Sequence, residues 1–260
     1  MAKKKKDNYI IQSVSHAIDI LEAFKGSTDE MGVTELSKAL ELPKNNVFRL
    51  LATLESRGFI QQNQQTNCYR LGIKIFELGE VFRSRMGLLR QAHEVLKDVE
   101  VHCNESVYLA ILQEGMVVYV DLVETTHSVR IVPRLGVRVP PYCTAVGKVM
   151  LAYKSVDEVE QLLSKTPLTP LTENTIVDKN VFMEHLKQVA GQGYAVDNEE
   201  LEKEVKCVGT PVRDYTRRVV AGICISGPIQ RMPQERIENE LIPLLKRAAV
   251  DISTRLGFFE

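Results

Sequence analysis

Apolar residues recur at helical spacing from residue 12 to residue 25, where Val14, Ala17, Ile18, Leu21 and Phe24 share one face and Gly26 follows as a stop. The same spacing predicts a short helix over 34–40, opened by Thr34 as its N-cap. A second helix is predicted over 44–57, with Val47, Leu50, Leu51 and Leu54 turned inward. Pro43 interrupts the run between the two, and Gly58 closes the second helix. Two short strands, 59–61 and 68–71, then flank a polar turn at 64–67. Three helices followed by a two-stranded ribbon describe a winged helix-turn-helix, with 44–57 as the recognition helix.

Beyond residue 72 the pattern changes twice. Helical spacing returns over 73–85 and 88–102, then gives way to Val-, Ile- and Tyr-rich strands over 106–112, 117–123 and 128–132. Glu114-Gly115 turns the first pair into a hairpin. Helices are predicted over 144–153, 156–164 and 179–190, and strands over 193–196 and 219–226. The last of these is almost continuously apolar, as a strand covered on both faces would be. A long helix over 233–257 closes the chain, with Ile237, Leu241, Leu244, Leu245, Ala248 and Ile252 on one side. This is an α+β sheet domain flanked by helices. The expected organisation is a basic disordered tail at 1–11, a winged helix-turn-helix at 12–72, a linker helix at 73–86 and the sheet domain at 87–260.

Composition narrows the class. A chain of 260 residues has room for two domains, each with its own core. No apolar run approaches the roughly 18 residues that a membrane span needs, and the basic N-terminus lacks the apolar stretch of a secretory signal. Five cysteines at scattered spacings point to a reducing, cytoplasmic setting rather than a disulfide framework. Net charge is −1, yet residues 1–75 hold 11 Lys and Arg against 8 Asp and Glu, whereas the remainder holds 22 against 26. The positive bias therefore sits with the helix-turn-helix, as phosphate binding requires. Lys3 to Lys6 supply four of those charges and fit either a disordered tail or a DNA arm.

On the recognition helix, Lys44, Asn45, Asn46 and Arg49 occupy the face opposite Val47 and Leu50. Asn pairs with adenine bidentately, and Arg or Lys with guanine. Phe48 suits either a thymine methyl or the domain core. Gln62, Asn63, Gln64, Asn67 and Arg70 belong to the wing and are expected on phosphates or the minor groove. In the sheet domain three segments draw attention. Tyr142-Cys143-Thr144-Ala145-Val146-Gly147 opens a helix whose free N–H groups suit a carboxylate, or it is a capped structural loop. An acidic cluster of Asp197, Glu199, Glu200 and Glu202 ahead of a Gly-Pro strand entry at 206–212 either aims Asp197 and Cys207 into a cavity or forms a solvated face. Cys224 and Ser226 are two apart on one strand and share a side. Dinucleotide, Walker, nucleophile-elbow and zincin motifs are missing, so neither catalysis nor a cofactor is expected. Cys143, Asp197, Cys207 and Cys224 lack Cys-x-x-Cys spacing, which leaves a metal or redox sensor as the alternative rather than the leading reading.

In combination these segments resemble the IclR family of bacterial transcriptional regulators. The resemblance rests on Val33-Thr-Glu-Leu-Ser with Leu42-Pro-Lys-Asn-Asn-Val-Phe-Arg-Leu-Leu, then Tyr69-Arg-Leu-Gly, Tyr142-Cys-Thr-Ala-Val-Gly-Lys, Gly193-Tyr-Ala-Val-Asp-Asn-Glu-Glu, Cys207-Val-Gly-Thr-Pro-Val and Ile223-Cys-Ile-Ser-Gly-Pro, in that order. It implies a DNA-binding domain joined by a helix to a GAF-like effector domain. The implied assembly is a homodimer or homotetramer on palindromic double-stranded operators, with a small organic acid as effector. It also implies an effector pocket lined by Tyr142, Cys143, Thr144, Ala145, Val146, Gly147, Asp197, Cys207, Cys224 and Ser226, while Glu199, Glu200 and Glu202 stay solvated. Family precedent favours a repressor. The chain departs from the common pattern at Asn45 and Cys224, where Ser is frequent; the first bears on base choice and the second on pocket polarity.

Overall fold

The computed structural model describes residues 9–25, 29–85, 87–131 and 135–259. The expected tail, with Lys3 to Lys6, and the expected stop at Gly26 lie outside the described residues. The chain divides into two compact units, Met1–Arg85 and Met86–Glu260.

In the first unit, α1 (Gln12–Ala23), α2 (Val33–Ala39) and α3 (Lys44–Ser56) enclose a core of Ile20, Phe24, Leu36, Val47 and Leu51. Strands β1 (Ile60–Gln62) and β2 (Tyr69–Leu71) pair antiparallel and contribute Ile60 and Tyr69 to the same core. Thr34 does not cap α2. The N-cap is Gly32, whose N–H is taken by the Glu35 carboxylate at 2.7 Å, so the helix starts one residue early and Thr34 is exposed on its first turn. Helix α4 (Ile73–Arg85) follows the wing.

The second unit is built on one antiparallel sheet in the order β5-β4-β3-β8-β7-β6. Its strands are β3 (Ser106–Gln113), β4 (Met116–Val123), β5 (Arg138–Val139), β6 (Ala195–Asn198), β7 (Val205–Arg213) and β8 (Val219–Pro228). One face is covered by α5 (Gly87–Cys103) and α10 (Ile242–Arg255), whose Leu96, Val99, Leu245 and Ile252 meet Leu109, Val208, Ile223 and Ile225. The other face carries α6 (Ala145–Leu151), with α7 (Val156–Lys165) and α8 (Lys179–Gln192) in the same layer. Coverage on both faces explains the unbroken apolar run of β8.

Three sequence expectations change here. No strand forms over 128–131, which runs as an irregular segment; residue 132 lies outside the described residues. The segment 205–213, expected only as a Gly-Pro strand entry, is a full strand that pairs with β8 over its length and with β6 over Lys206–Gly209. The closing helix is interrupted: after α9 (Gln234–Arg236), Ile237–Leu241 form a π-turn in which the Ile242 N–H reaches back to the Ile237 carbonyl. Pro243 has no N–H to offer in the next position, and the wider turn absorbs the mismatch.

Candidate DNA-recognition face and effector cavity

Burial sorts α3 into two sides. Val47 and Leu51 are fully buried, whereas Lys44, Asn45, Asn46, Phe48 and Arg49 are exposed. Phe48 is 56 % exposed, so it does not pad the core. The N-cap of α3 is Pro43, which offers no side-chain acceptor, so the amides and cations of the first turn stand clear of capping duties. In the wing, Gln64, Asn67 and Arg70 are exposed, and Gln62 is half-buried with its side-chain amide on the Asn67 carbonyl at 3.1 Å. Asn67 holds a left-handed φ of 57°, which the turn requires and Asn tolerates. The wing is anchored from outside the ribbon: Glu30 accepts from Asn63 Nδ2 at 2.8 Å and Thr66 Oγ1 at 2.9 Å. Those two hydrogen bonds hold its carboxyl below the usual range. Met31 also bridges Tyr69, adding a third extended segment beside the ribbon.

In the second unit the register sets up a polar row across four strands. Asp197 lies opposite Cys207, Cys207 opposite Ser226, and Ser226 opposite Ser106. Tyr108, Cys224 and Gly209 form the next row on the same face. Asp197, Cys207, Cys224 and Ser226 line one cavity together with Tyr108, Tyr119, Ile131, Leu201, Glu202 and Val205. The cavity measures about 20 Å³, room for about one water molecule. A metabolite therefore enters only as the lining opens. Inside it, the Cys207 thiol donates to Ser226 Oγ at 3.0 Å.

The remaining six expected pocket residues do not line this cavity. Tyr142 and Cys143 pack with Leu151, Val159, Phe182 and Leu186, and the Tyr142 hydroxyl bonds the backbone of Thr169. Thr144 caps α6 by accepting from the Gly147 N–H at 3.1 Å, so that amide is already taken. A Cβ at Gly147 would overlap the Pro141 carbonyl, which shows how tightly the loop folds over its own helix. Ala145 is buried, and Val146 packs among Tyr108, Tyr119, Met150 and Cys224, behind the cavity wall. The capped-loop reading of 142–147 describes this geometry; the reading as an open carboxylate cradle does not.

Sequence reasoning missed the charged pair beside the cavity. Lys148 is fully buried, and its ammonium donates to Glu200 Oε1 at 2.5 Å and to the Val196 carbonyl at 2.6 Å. Glu200 is 5 % exposed, not solvated as expected, because β6 ends in a turn that folds it inward; its N–H in turn donates to Asp197 Oδ1 at 2.8 Å. Glu202 is exposed and Glu199 half-buried. A lone cation inside the apolar run 145–152 was the available signal, since a lysine on a buried face needs a partner. Burial pushes the Asp197 carboxyl up to about 7, against the pull of Lys148 and of two backbone N–H groups, with the Glu200 carboxylate adding to the rise. Burial likewise pushes the Cys143 thiol up to about 12 and raises Cys224. Among the described residues no three His, Cys, Asp or Glu side chains converge in a manner that could hold a metal ion.

Comparison with known proteins matches both units. The IclR helix-turn-helix domain matches residues 13–64, and the C-terminal domain of the bacterial transcriptional regulator IclR matches residues 82–254. The chain belongs to the IclR family. It is 35 % identical over 250 residues to the HTH-type transcriptional regulator KdgR of Escherichia coli, covering 96 % of this chain and 94 % of that protein. The transcriptional repressor IclR of the same organism is 29 % identical over 249 residues, covering 95 % of this chain and 90 % of that one. The crystal structure of the Thermotoga maritima IclR superposes with a TM-score of 0.81 at 33 % identity, covering 95 % of this chain and 99 % of that one. As a member of this family the chain is a DNA-binding transcriptional regulator with an N-terminal helix-turn-helix and a C-terminal α/β effector domain, and not an enzyme. None of its described helices is long and apolar enough to cross a membrane.

Proposed function

We propose that the chain is an effector-controlled repressor of a palindromic operator, read by the N-terminal half of α3. The observation that carries this is the segregation on α3, where Lys44, Asn45, Asn46, Phe48 and Arg49 are exposed around a buried Val47. Base contacts from these side chains set sequence choice, while Thr34, Gln62, Gln64, Asn67 and Arg70 meet the backbone and set affinity and its salt dependence. The proposed functional division is DNA binding at 12–72, a linker at 73–86 and effector response at 87–260. Relatives named as repressors, including IclR of Escherichia coli and AllR of Salmonella typhimurium, favour repression.

Palindromic operators call for a twofold protein. Helix α4 leaves Ile73, Phe76, Leu78, Val81 and Phe82 exposed, and α1 leaves Val14 and Ile18 exposed. Apolar side chains gathered on the described surface of one small unit favour a second copy of this chain as their cover. In the effector domain the Asp197 cavity is the proposed pocket, and a small organic acid its ligand. Because the Asp197 carboxyl sits at about 7, it is available in protonated form to donate a hydrogen bond to that acid. Binding acts on the operator only in so far as it favours one arrangement of the dimer over another.

Selection of duplexes from a random pool by the full chain tests the proposal. An inverted repeat should be enriched, and a member of an organic-acid panel should release it. Enrichment of no sequence, or of a single unpaired half-site, would contradict the proposed reading.

A further inference from the structure

Glu105 stands just before β3 and is fully buried. Arg231 grips it with both arms of its guanidinium, Nε on Oε1 and Nη2 on Oε2, each at 2.7 Å. Arg236 adds a third contact to Oε1 at 3.1 Å and also donates to the Arg231 carbonyl at 2.7 Å. Space for the carboxylate exists because residue 227 is glycine: a Cβ there would lie 2.9 Å from Glu105 Oε2. A bidentate, twice-braced arginine of this kind is fixed in direction. Its remaining arm, Nη1, donates to the backbone carbonyl of Val129 at 2.9 Å.

Val129 belongs to the irregular segment 124–131. At its near end that segment is pinned by Thr125, which donates to the Asn104 carbonyl at 2.6 Å and, through its N–H, to Ser106 Oγ at 3.3 Å. At its far end Ile131 forms part of the wall of the Asp197 cavity. Val129 is 71 % exposed, so its own side chain does not hold the segment against the sheet. Thr126 also bonds Asn104 Oδ1, and Arg130 pairs with Glu124 within the segment at 2.9 Å; among the described hydrogen bonds, the Arg231 arm is the one that ties the stretch 128–131 to the body of the domain. Desolvating a carboxylate is costly, and here the three hydrogen bonds from the two guanidiniums offset that cost and fix their geometry.

We infer that Arg231 is a positioning residue of the effector cavity: through Val129 it fixes the wall segment ending at Ile131, and so sets how readily the cavity opens. The inference rests on the reading of this cavity as the effector site, but its test needs no effector. Cys207 and Cys224 line the cavity, whereas Cys143 is buried in a separate cluster with Tyr142 and Phe182. The three thiols thus report the wall and the rest of the domain separately.

The full chain is treated with methyl methanethiosulfonate under native conditions, and the rate at each cysteine is read by peptide mass spectrometry. In Arg231→Gln, Cys207 and Cys224 should be modified about tenfold faster than in the parent, with Cys143 unchanged, as expected for a local opening. Arg231→Lys keeps a charge on Glu105 but cannot reach Glu105 and Val129 together, and should show the same selectivity; it serves alone if Arg231→Gln does not fold. Equal rates in parent and variant overturn the inference. So does a parallel rise at all three thiols, which would make Arg231 a general brace of the fold. A selective rise at the cavity thiols with no organic acid of the panel ever binding would leave the wall assignment standing and remove the effector reading instead.

Discussion

Replacing Asp197 by Asn removes a buried titration without changing shape. Asp197 is 2 % exposed, and its Oδ1 accepts the Glu200 N–H at 2.8 Å, a bond that the Asn carbonyl can keep. Burial raises the carboxyl from 3.8 to about 7 in the folded chain. Between those two values the native state holds a proton that the unfolded state has lost. Stability contributed by this site is therefore fully present below the unfolded value, falls as pH rises, and is lost once pH passes about 7. The difference between the two values corresponds to about 4 kcal/mol, an upper bound because the lining can relax and admit water. The amide of D197N carries no such dependence. Urea denaturation of parent and D197N at pH 5.5, 7 and 8.5 should show the difference between them shifting in the variant's favour by about 2 kcal/mol from the lowest pH to the highest, the part of the linkage that lies above pH 5.5. A parent–variant difference that stays constant with pH would refute the reasoning, since Asp197 would then be ionised in both states or not buried at all.

Two further substitutions probe the surroundings of the cavity. Lys148→Met leaves the Glu200 carboxylate buried without its cation and should cost about 3–5 kcal/mol in denaturant; adding Glu200→Gln should recover part of that loss, and an additive double mutant would contradict the pairing. Gly147→Ala places a methyl against the Pro141 carbonyl and the Thr144 hydroxyl, so it should destabilise the effector domain by about 3 kcal/mol or more, whereas an unchanged melting temperature would show that the loop over α6 has slack.

Much of the architecture could be read from periodicity alone. Helical spacing located α3 and α8, because each buries one stripe and exposes the rest; on α1 the expected face is only partly inward, with Ile20 buried while Val14 and Ile18 are exposed, and the apolar Ile73, Phe76, Leu78 and Phe82 of α4 are exposed. The unbroken run 219–226 identified the central strand for the same reason: covering both faces removes the need for polar alternation. Failures came where tertiary partners override local preference. Val205–Arg213 becomes a strand despite Gly209 and Pro211, since β6 and β8 supply partners that sequence spacing cannot show. Ile237–Leu241 widens into a π-turn because a proline six positions beyond Ile237 must be accommodated without ending the helix. In the site, the alternation Cys224–Ser226 and the register of Asp197 with Cys207 place four expected residues on one cavity. The loop 142–147 misled because a small-residue helix start looks open in sequence; Thr144 and the Pro141 carbonyl close it in space. Glu200 misled for the opposite reason, its neighbours Glu199 and Glu202 being the kind of acids that remain in water.

The claim on which the regulatory account depends is that the exposed face of α3 reads bases. Its most direct measurement is the affinity of the full chain and of Arg49→Ala for the duplex enriched by selection, each taken against a scrambled duplex at the same salt concentration. Arg49→Ala should lose about 1–3 kcal/mol on the enriched duplex and little on the scrambled one, so that discrimination narrows. Equal affinity and equal discrimination in the two proteins would contradict base reading by this face.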